Sequence, residues 1–106
     1  MLFRSFPTLN LKIPPRFNVK PGIYAGWVWI ENRQYLGAFH FGPLPVFFDP
    51  TPHLEVFVID YKPNVPVTAI TFELVTYLRP IRNFPNPVAL AHRISLDVDK
   101  TRAMLN

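Results

Sequence analysis

The sequence predicts a mainly β fold, in which several antiparallel strands close into a small barrel and one helix follows at the C-terminus. Three observations favour this fold class. Proline accounts for 13 of the 106 residues, against a usual share of about 5%, and proline is excluded from helix interiors and central strands. Between the prolines lie apolar runs of strand length. Apolar residues recur at helical spacing only after residue 86.

Length and composition narrow the class of protein further. A chain of 106 residues fits one compact core, so we expect one domain over residues 1–106. The net charge of +4 favours anionic partners such as phosphates or nucleic acid without choosing between them. Cysteine is absent, which excludes disulfide scaffolds and cysteine nucleophiles and permits an intracellular location. No apolar run approaches the roughly 20 residues of a membrane span, so no membrane partner is expected.

The strands follow from the apolar runs and from the turn signals between them. Prolines make most of residues 1–21 extended chain and turns. Residues 31–33 form the polar tip of a hairpin, and residues 43–53 form a proline-rich loop. The expected strands are a short one with Leu9, Leu11 and Ile13 and four longer ones at residues 23–30, 35–42, 54–61 and 67–78.

The tail at residues 86–105 is expected to be one helix. Asn86 supplies an N-cap and Pro87 the first helical position. Arg93 and Asp97 lie four residues apart and are expected to pair weakly. One apolar stripe should pack on the sheet, formed by Leu90, Ala91, Ile94, Val98 and Leu105. The residues that should face away are His92, Asp99 and Lys100.

Familiar catalytic motifs are missing from the chain. It has neither the GxxxxGK[ST] phosphate loop nor the GxGxxG dinucleotide motif. His40, His53 and His92 lack the spacing of metal ligands, and structural positions in a strand, a loop and a helix surface are favoured for them.

Glu55 is the first candidate for chemistry because it shares a strand face with Phe57 and Ile59. A carboxylate among large apolar neighbours can take or hold a proton. The alternative is an edge-strand glutamate whose face meets solvent, and periodicity alone favours that alternative.

Thr8 and Asn10 lie on one side of an extended segment, where their oxygens could reach a hard cation or a phosphate. The alternative for this pair is a simple turn in which both side chains cap backbone groups, and the residues alone favour that alternative.

Several segments carry a resemblance when they are taken together and in order. They are Phe6-Pro7-Thr8-Leu9-Asn10, residues 22–28 (GIYAGWV), residues 37–43 (GAFHFGP) with Pro45 and Phe47, residues 55–60 (EVFVID), and Phe72-Glu73 with Leu78-Arg79-Pro80 and Phe84. A closing helix with Ile94 and Asp97 follows. This series resembles the riboflavin kinase family, specifically the kinase module of bacterial bifunctional riboflavin kinase/FAD synthetases.

The resemblance implies a small six-stranded antiparallel Greek-key barrel with a C-terminal helix. It implies a cytoplasmic enzyme that uses Mg²⁺ and transfers the γ-phosphate of ATP to the 5′-hydroxyl of riboflavin, giving FMN and ADP. Thr8 and Asn10 would contact the metal and the nucleotide phosphates, and Glu55 would be the catalytic base. Riboflavin or FMN would bind near Arg79 and Phe84.

The sequence also departs from the family pattern. The family places a glycine-rich phosphate loop before F-P-T, whereas Ser5 stands here in place of its last glycine and Arg4 offers a positive charge nearby. The sequence leaves open whether such a loop precedes Met1. Family polar residues are also replaced by Leu44, Val46, Ile81 and the segment at residues 64–67.

The departures support an alternative function: a catalytically impaired flavin- or nucleotide-binding protein of the same fold. FAD synthesis is not expected, because the adenylyltransferase half is absent from this sequence. A third hypothesis, a basic barrel for single-stranded nucleic acid, ranks last. Most aromatic residues fall in apolar strands, where core packing explains them, so no nucleic-acid partner is expected.

Overall fold

Five antiparallel strands and one helix form the part of the chain that the computed structural model describes, residues 7–43, 50–62 and 69–105. They are β1 (Leu9–Leu11), β2 (Gly22–Ile30), β3 (Arg33–Gly42), β4 (His53–Val58), β5 (Thr71–Arg79) and α1 (Pro87–Leu105). The strands pair in the order β1-β4-β3-β2-β5. The mainly β class and the C-terminal helix are therefore confirmed.

The hairpin between β2 and β3 turns through two residues. Ile30 pairs with Arg33, and the intervening Glu31 and Asn32 have φ values of 51° and 67°. Positive φ at both turn residues is the geometry of a type I′ turn, which matches the twist of the flanking strands. Arg33, expected at the hairpin tip, belongs to β3 instead.

The sheet differs from the predicted six-stranded barrel. β2, β3 and β4 are consecutive neighbours and β1 returns beside β4, which is a Greek-key order. In the described ranges, however, there are five strands, and β1 and β5 remain at opposite edges without pairing. A barrel closes only when its edge strands join. Pro14 and Pro15 follow β1 and lack backbone donors, and Arg16 has a φ of 60°, so the ladder does not extend there.

Two strand boundaries also differ from expectation. β4 ends at Val58 rather than Tyr61, because Ile59 and Asp60 form a turn and Asp60 has a φ of 63°. β5 runs from Thr71 to Arg79, whereas its predicted start at Val67 lies outside the described residues. The proline-rich loop prediction also falls largely outside them, at residues 44–49.

The two faces of the sheet carry separate apolar clusters. The larger cluster contains Tyr24, Val28, Ile30, Phe39, Phe41, Leu54, Val56 and Val58. Its rings pack on one another, as between Phe17 and Phe41, whose centroids are 5.0 Å apart and whose planes are nearly perpendicular. The smaller cluster joins α1 to the other face through Ile59, Ile94 and Val98, with Leu36, Phe57 and Leu90 packed against it. We call this second side the helix face of the sheet.

The helix begins where the sequence predicts. The backbone N–H of Ala89 donates to Oδ1 of Asn86 over 2.8 Å, so Asn86 is the N-cap and Pro87 the first helical residue. Leu90, Ile94 and Val98 pack on the sheet as predicted, and Ala91 and Leu105 are half-buried. The predicted outer residues His92, Asp99 and Lys100 are exposed. Over the described ranges, no helix has the length and hydropathy to cross a membrane.

Candidate active site

One row of opposed residues crosses all five strands on the helix face. Asn10 pairs with Glu55, Glu55 with His40, His40 with Ile23, and Ile23 with Arg79. Directly opposed residues of antiparallel strands project to the same side of a sheet. The register therefore gathers three of the predicted site residues, Asn10, Glu55 and Arg79, in one row. We call these five residues the polar row.

Glu55 is the buried second residue of this row, between Asn10 and His40. Only 3% of the residue is exposed, and its strand, β4, lies between β1 and β3. The hydroxyl of Thr8 donates to Oε1 of Glu55 over 3.0 Å. Burial of a carboxylate requires hydrogen-bond donors, and Thr8 is one of them. The alternative of a solvent-facing edge glutamate is wrong, because β1 covers the outer side of β4.

Thr8 and Asn10 meet Glu55 from the neighbouring strand. Asn10 is an exposed residue of β1, and the half-buried Thr8 immediately precedes that strand. The turn interpretation is wrong, because residues 9–11 pair with β4. The structure thus brings a hydroxyl, an amide and a carboxylate together from two segments that are more than forty residues apart.

Arg79 lies at the other end of the polar row and binds the helix. Its Nε is 2.9 Å from Oδ1 of Asp97 and its Nη2 is 2.7 Å from Oδ2, while Nη1 donates to the carbonyl of Pro80 over 3.1 Å. The side chains of Arg79 and Asp97 are 6% and 3% exposed. The expected pair of Arg93 with Asp97 is present at 3.7 Å, but Arg79 makes the shorter contacts. Arg79 therefore ties α1 to β5.

Phe84 lies beside Arg79. The Cζ atom of Arg79 is 5.7 Å from the centroid of the Phe84 ring, which is within cation–π range. Phe84 is half-buried, so part of its ring remains accessible. A flavin contact at this pair stays a prediction.

Sequence reasoning missed His40 and Asp97. His40 was assigned a purely structural strand position, and only the β3–β4 register places it opposite Glu55. Burial lowers the pKa of His40, and the Glu55 carboxylate opposes that shift by favouring the imidazolium. Asp97 is named in the closing helix that carries the resemblance and as a weak partner of Arg93, but its burial is not predicted. Its position three residues after Ile94, on the packed stripe, was the available signal of burial.

The oxygens around Glu55 suit a hard cation. Among the described residues, no cluster of three or more histidines and carboxylates could hold a metal ion alone. Mg²⁺, however, keeps several waters and takes its remaining ligands from one or two protein oxygens and substrate phosphates. Because a hydroxyl that donates its proton can still ligate through its oxygen, Thr8 and Asn10 fit such a site.

Several sequence features of the site lie outside the described residues. They are Arg4, Ser5, Phe6, Leu44, Pro45, Val46, Phe47 and residues 64–67. The half-buried Ile81 is described.

The site thus combines a small antiparallel sheet, a C-terminal helix packed on one face of it, and a buried carboxylate that accepts a hydrogen bond from a hydroxyl. Residues 4–105 match the flavokinase family model, described as riboflavin kinase. Since this match spans nearly the whole chain, the chain belongs to the riboflavin kinase family.

Several solved structures are similar in fold, and one of them serves as an example. It is described as a macrolide-efflux protein from Streptococcus pneumoniae and matches with a TM-score of 0.79 and 21% sequence identity. The match covers 92% of this chain and 33% of that one, so the chain spans about a third of that protein's length. At this identity the likeness concerns the fold alone.

Proposed function

We propose that residues 1–106 act as one riboflavin kinase domain, which transfers the γ-phosphoryl group of ATP to the 5′-hydroxyl of riboflavin. The products are FMN and ADP. Membership of the riboflavin kinase family supports this general chemistry. The observation that carries the proposal is the buried Glu55, bonded to Thr8 and opposed to Asn10.

Glu55 acts as the general base. The 5′-hydroxyl oxygen of riboflavin forms a bond to the γ-phosphorus, the bond from that phosphorus to the bridging oxygen breaks, and ADP leaves with the electron pair. The hydroxyl proton passes to Glu55. A positioned base contributes about 10²–10⁴-fold to such a step, and its burial excludes water that would otherwise solvate the carboxylate.

Thr8 and Asn10 hold the metal and the phosphates. When bound, Mg²⁺ would neutralise the phosphate charge, which is the main requirement of phosphoryl transfer. Thr8 donates a hydrogen bond to Glu55, so its oxygen would ligate the cation while its hydrogen orients the carboxylate of the base. Because one side chain, Thr8, contacts both, the catalytic base Glu55 and the phosphate site lie at a fixed separation.

Riboflavin binds on the helix side of the sheet, near Arg79 and Phe84. The Phe84 ring offers an apolar surface for the flavin, and Arg79 fixes that neighbourhood through Asp97. We propose a cytoplasmic location for the reaction, as the resemblance to the family implies. Quenching of flavin fluorescence on titration with the protein measures this binding.

The test compares Glu55→Gln with Glu73→Gln, a matched change at an exposed position of β5. Glu55→Gln should lower kcat for FMN formation by about 10²–10⁴-fold while nucleotide affinity stays near the parent value. Glu73→Gln should leave both unchanged. Thr8→Ala and Asn10→Ala should instead weaken Mg²⁺-ATP binding as well. Equal turnover by Glu55→Gln and the parent would contradict the base assignment.

A second function, flavin or nucleotide binding without efficient catalysis, is favoured by the residues that precede Thr8. Ser5 stands where the family has the last glycine of its phosphate loop, and glycine is the residue that lets the backbone approach a ligand most closely. If this second function is the correct one, riboflavin fluorescence is quenched on binding, but no FMN forms from riboflavin and Mg²⁺-ATP.

A further inference from the structure

Glu55 is flanked on both sides by polar residues of neighbouring strands. Thr8, beside β1, donates to its carboxylate. On the opposite side, His40 of β3 is the residue directly across the ladder from Glu55. Side chains in this relation have Cβ atoms about 4.5–5.5 Å apart and interact. The base assigned above therefore has an imidazole on the side that faces away from β1.

The His40 ring is itself held in place. Its Nε2 atom is 3.3 Å from the carbonyl oxygen of Gly42, so a proton on Nε2 is donated to that carbonyl and the neutral ring keeps its lone pair on Nδ1. Its neighbour on β2, Ile23, is apolar and buried. Among the described side chains, Glu55 is the charged group that acts on His40.

We propose that His40 is a positioning residue for Glu55: the neutral imidazole closes the β3 side of the carboxylate and keeps it directed toward Thr8 and Asn10. This inference rests on the proposed kinase function. When Nδ1 of His40 takes a proton, the imidazolium gains a second donor and a positive charge on the wrong side of the base. It then competes with the substrate hydroxyl for the carboxylate oxygens, and transfer slows.

The direction of the pH effect follows from burial. Because burial lowers the pKa of His40 from its ordinary value of 6.5, the ring is neutral near pH 7 and charges only under acid conditions. We expect kcat to be on its plateau above the pKa of His40 and to fall as the pH drops through that pKa.

The first experiment measures the coupling without using activity. Histidine titrations are followed by NMR in the parent and in Glu55→Gln. Because the carboxylate favours the imidazolium, its loss should lower the His40 pKa further. A His40 pKa that is the same in Glu55→Gln as in the parent would overturn the inference.

The second experiment measures kcat and KM against pH for His40→Ala, His40→Asn and the control His92→Ala. His40→Ala should lower the plateau kcat by roughly 10- to 100-fold, the scale of a small misplacement of a catalytic group, with KM for Mg²⁺-ATP little changed. His40→Asn keeps a polar, non-titrating group, and should restore much of the plateau while losing the His40-dependent fall in acid.

The outcomes separate the two proposals. If the parent is active and both His40 variants keep its kcat and its loss of activity in acid, the positioning role is wrong and the kinase function is unaffected. A parent that makes no FMN overturns the kinase function and the catalytic role of His40 with it, and the NMR titration then still decides whether the two side chains are coupled. If His40→Ala lowers the thermal stability but leaves kcat of the folded fraction unchanged, this result also contradicts the positioning role.

Discussion

Removing the Asp97 carboxylate should undo the buried attachment of the helix to the sheet. In the parent, two nitrogens of the Arg79 guanidinium contact this carboxylate, at 2.9 Å from Nε and 2.7 Å from Nη2. The side chains of both partners are almost completely buried, at 6% and 3% exposure. Asp97→Ala leaves the guanidinium in the same place, without its counter-ion and with the cation of Arg93 nearby.

The magnitude follows from burial. An exposed ion pair is worth about 0–1 kcal/mol, but breaking a buried pair by removing one partner costs about 3–5 kcal/mol, because an uncompensated charge remains inside. Asp97→Ala should therefore lower the free energy of unfolding by about 3–5 kcal/mol. Asp99→Ala, two residues further along the same helix but exposed, should change it by no more than about 0.5 kcal/mol.

Urea unfolding of the two variants, followed by tryptophan fluorescence and circular dichroism, measures the difference. The double variant Arg79→Met/Asp97→Leu removes both charges, and it should recover most of the loss, because a buried pair replaced by apolar groups is often neutral in stability. Equal stability of Asp97→Ala and Asp99→Ala would refute the buried attachment. A double variant that loses as much free energy of unfolding as Arg79→Met and Asp97→Leu lose together would also refute it.

Three further predictions concern the helix and its contacts. Ile94→Ala should cost about 2–5 kcal/mol in the free energy of unfolding, because Ile94 is buried between α1 and the sheet, while Leu96→Ala on the outer face serves as its control in the same urea titration. Asn86→Ala should cost about 1 kcal/mol through loss of the N-cap, and Asn86→Asp should retain the helix content seen by circular dichroism. Arg102 donates to Asp60 and lowers the pKa of that carboxyl below its ordinary value of 3.8, so the pair stabilises the fold above that value and loses its contribution as the pH falls through the lower, folded pKa. The melting temperatures of the parent and of Asp60→Asn should therefore differ at pH 6 and converge at pH 2.5. A difference in melting temperature that grows in acid would contradict the pairing.

Local signals predicted the features whose causes are local. The start of α1 depends on Asn86 and Pro87, both of which act within one helical turn. The β2–β3 hairpin depends on two apolar runs joined by a short polar turn, although the turn is one residue shorter than the predicted residues 31–33. The shared face of Glu55 and Phe57 follows from the period of two in a strand, and the structure places both on the helix face.

Pairing between distant segments could not be predicted in the same way. The burial of Glu55 depends on β1, which pairs with β4 from more than forty residues away. The strand pattern of β4 is the same whether or not that neighbour exists, so the sequence alone favoured an exposed edge. The absence of barrel closure within the described residues has the same origin, since edge pairing is a property of the assembled sheet.

The direction in which Arg79 projects could not be predicted from strand alternation, because the pairing of β2 with β5 is irregular there. The pairing of β2 with β5 shifts register between Ile23 and Tyr24, so that Tyr24 meets Tyr77 on one face while Ile23 meets Arg79 on the other. A strict alternation places Tyr77 and Arg79 on the same face, because they are two residues apart. The β-bulge turns Arg79 toward the helix and Asp97.

The most direct measurement of the kinase function is the stoichiometry of product formation from riboflavin and Mg²⁺-ATP, with FMN and ADP quantified in the same reaction. If Glu55 directs the phosphoryl group to the ribityl hydroxyl, the parent should form FMN and ADP in equal amounts. Glu55→Gln should reduce both together by about 10²–10⁴-fold. ADP formed without FMN, or FMN formed as fast by Glu55→Gln as by the parent, would contradict a riboflavin kinase built around Glu55.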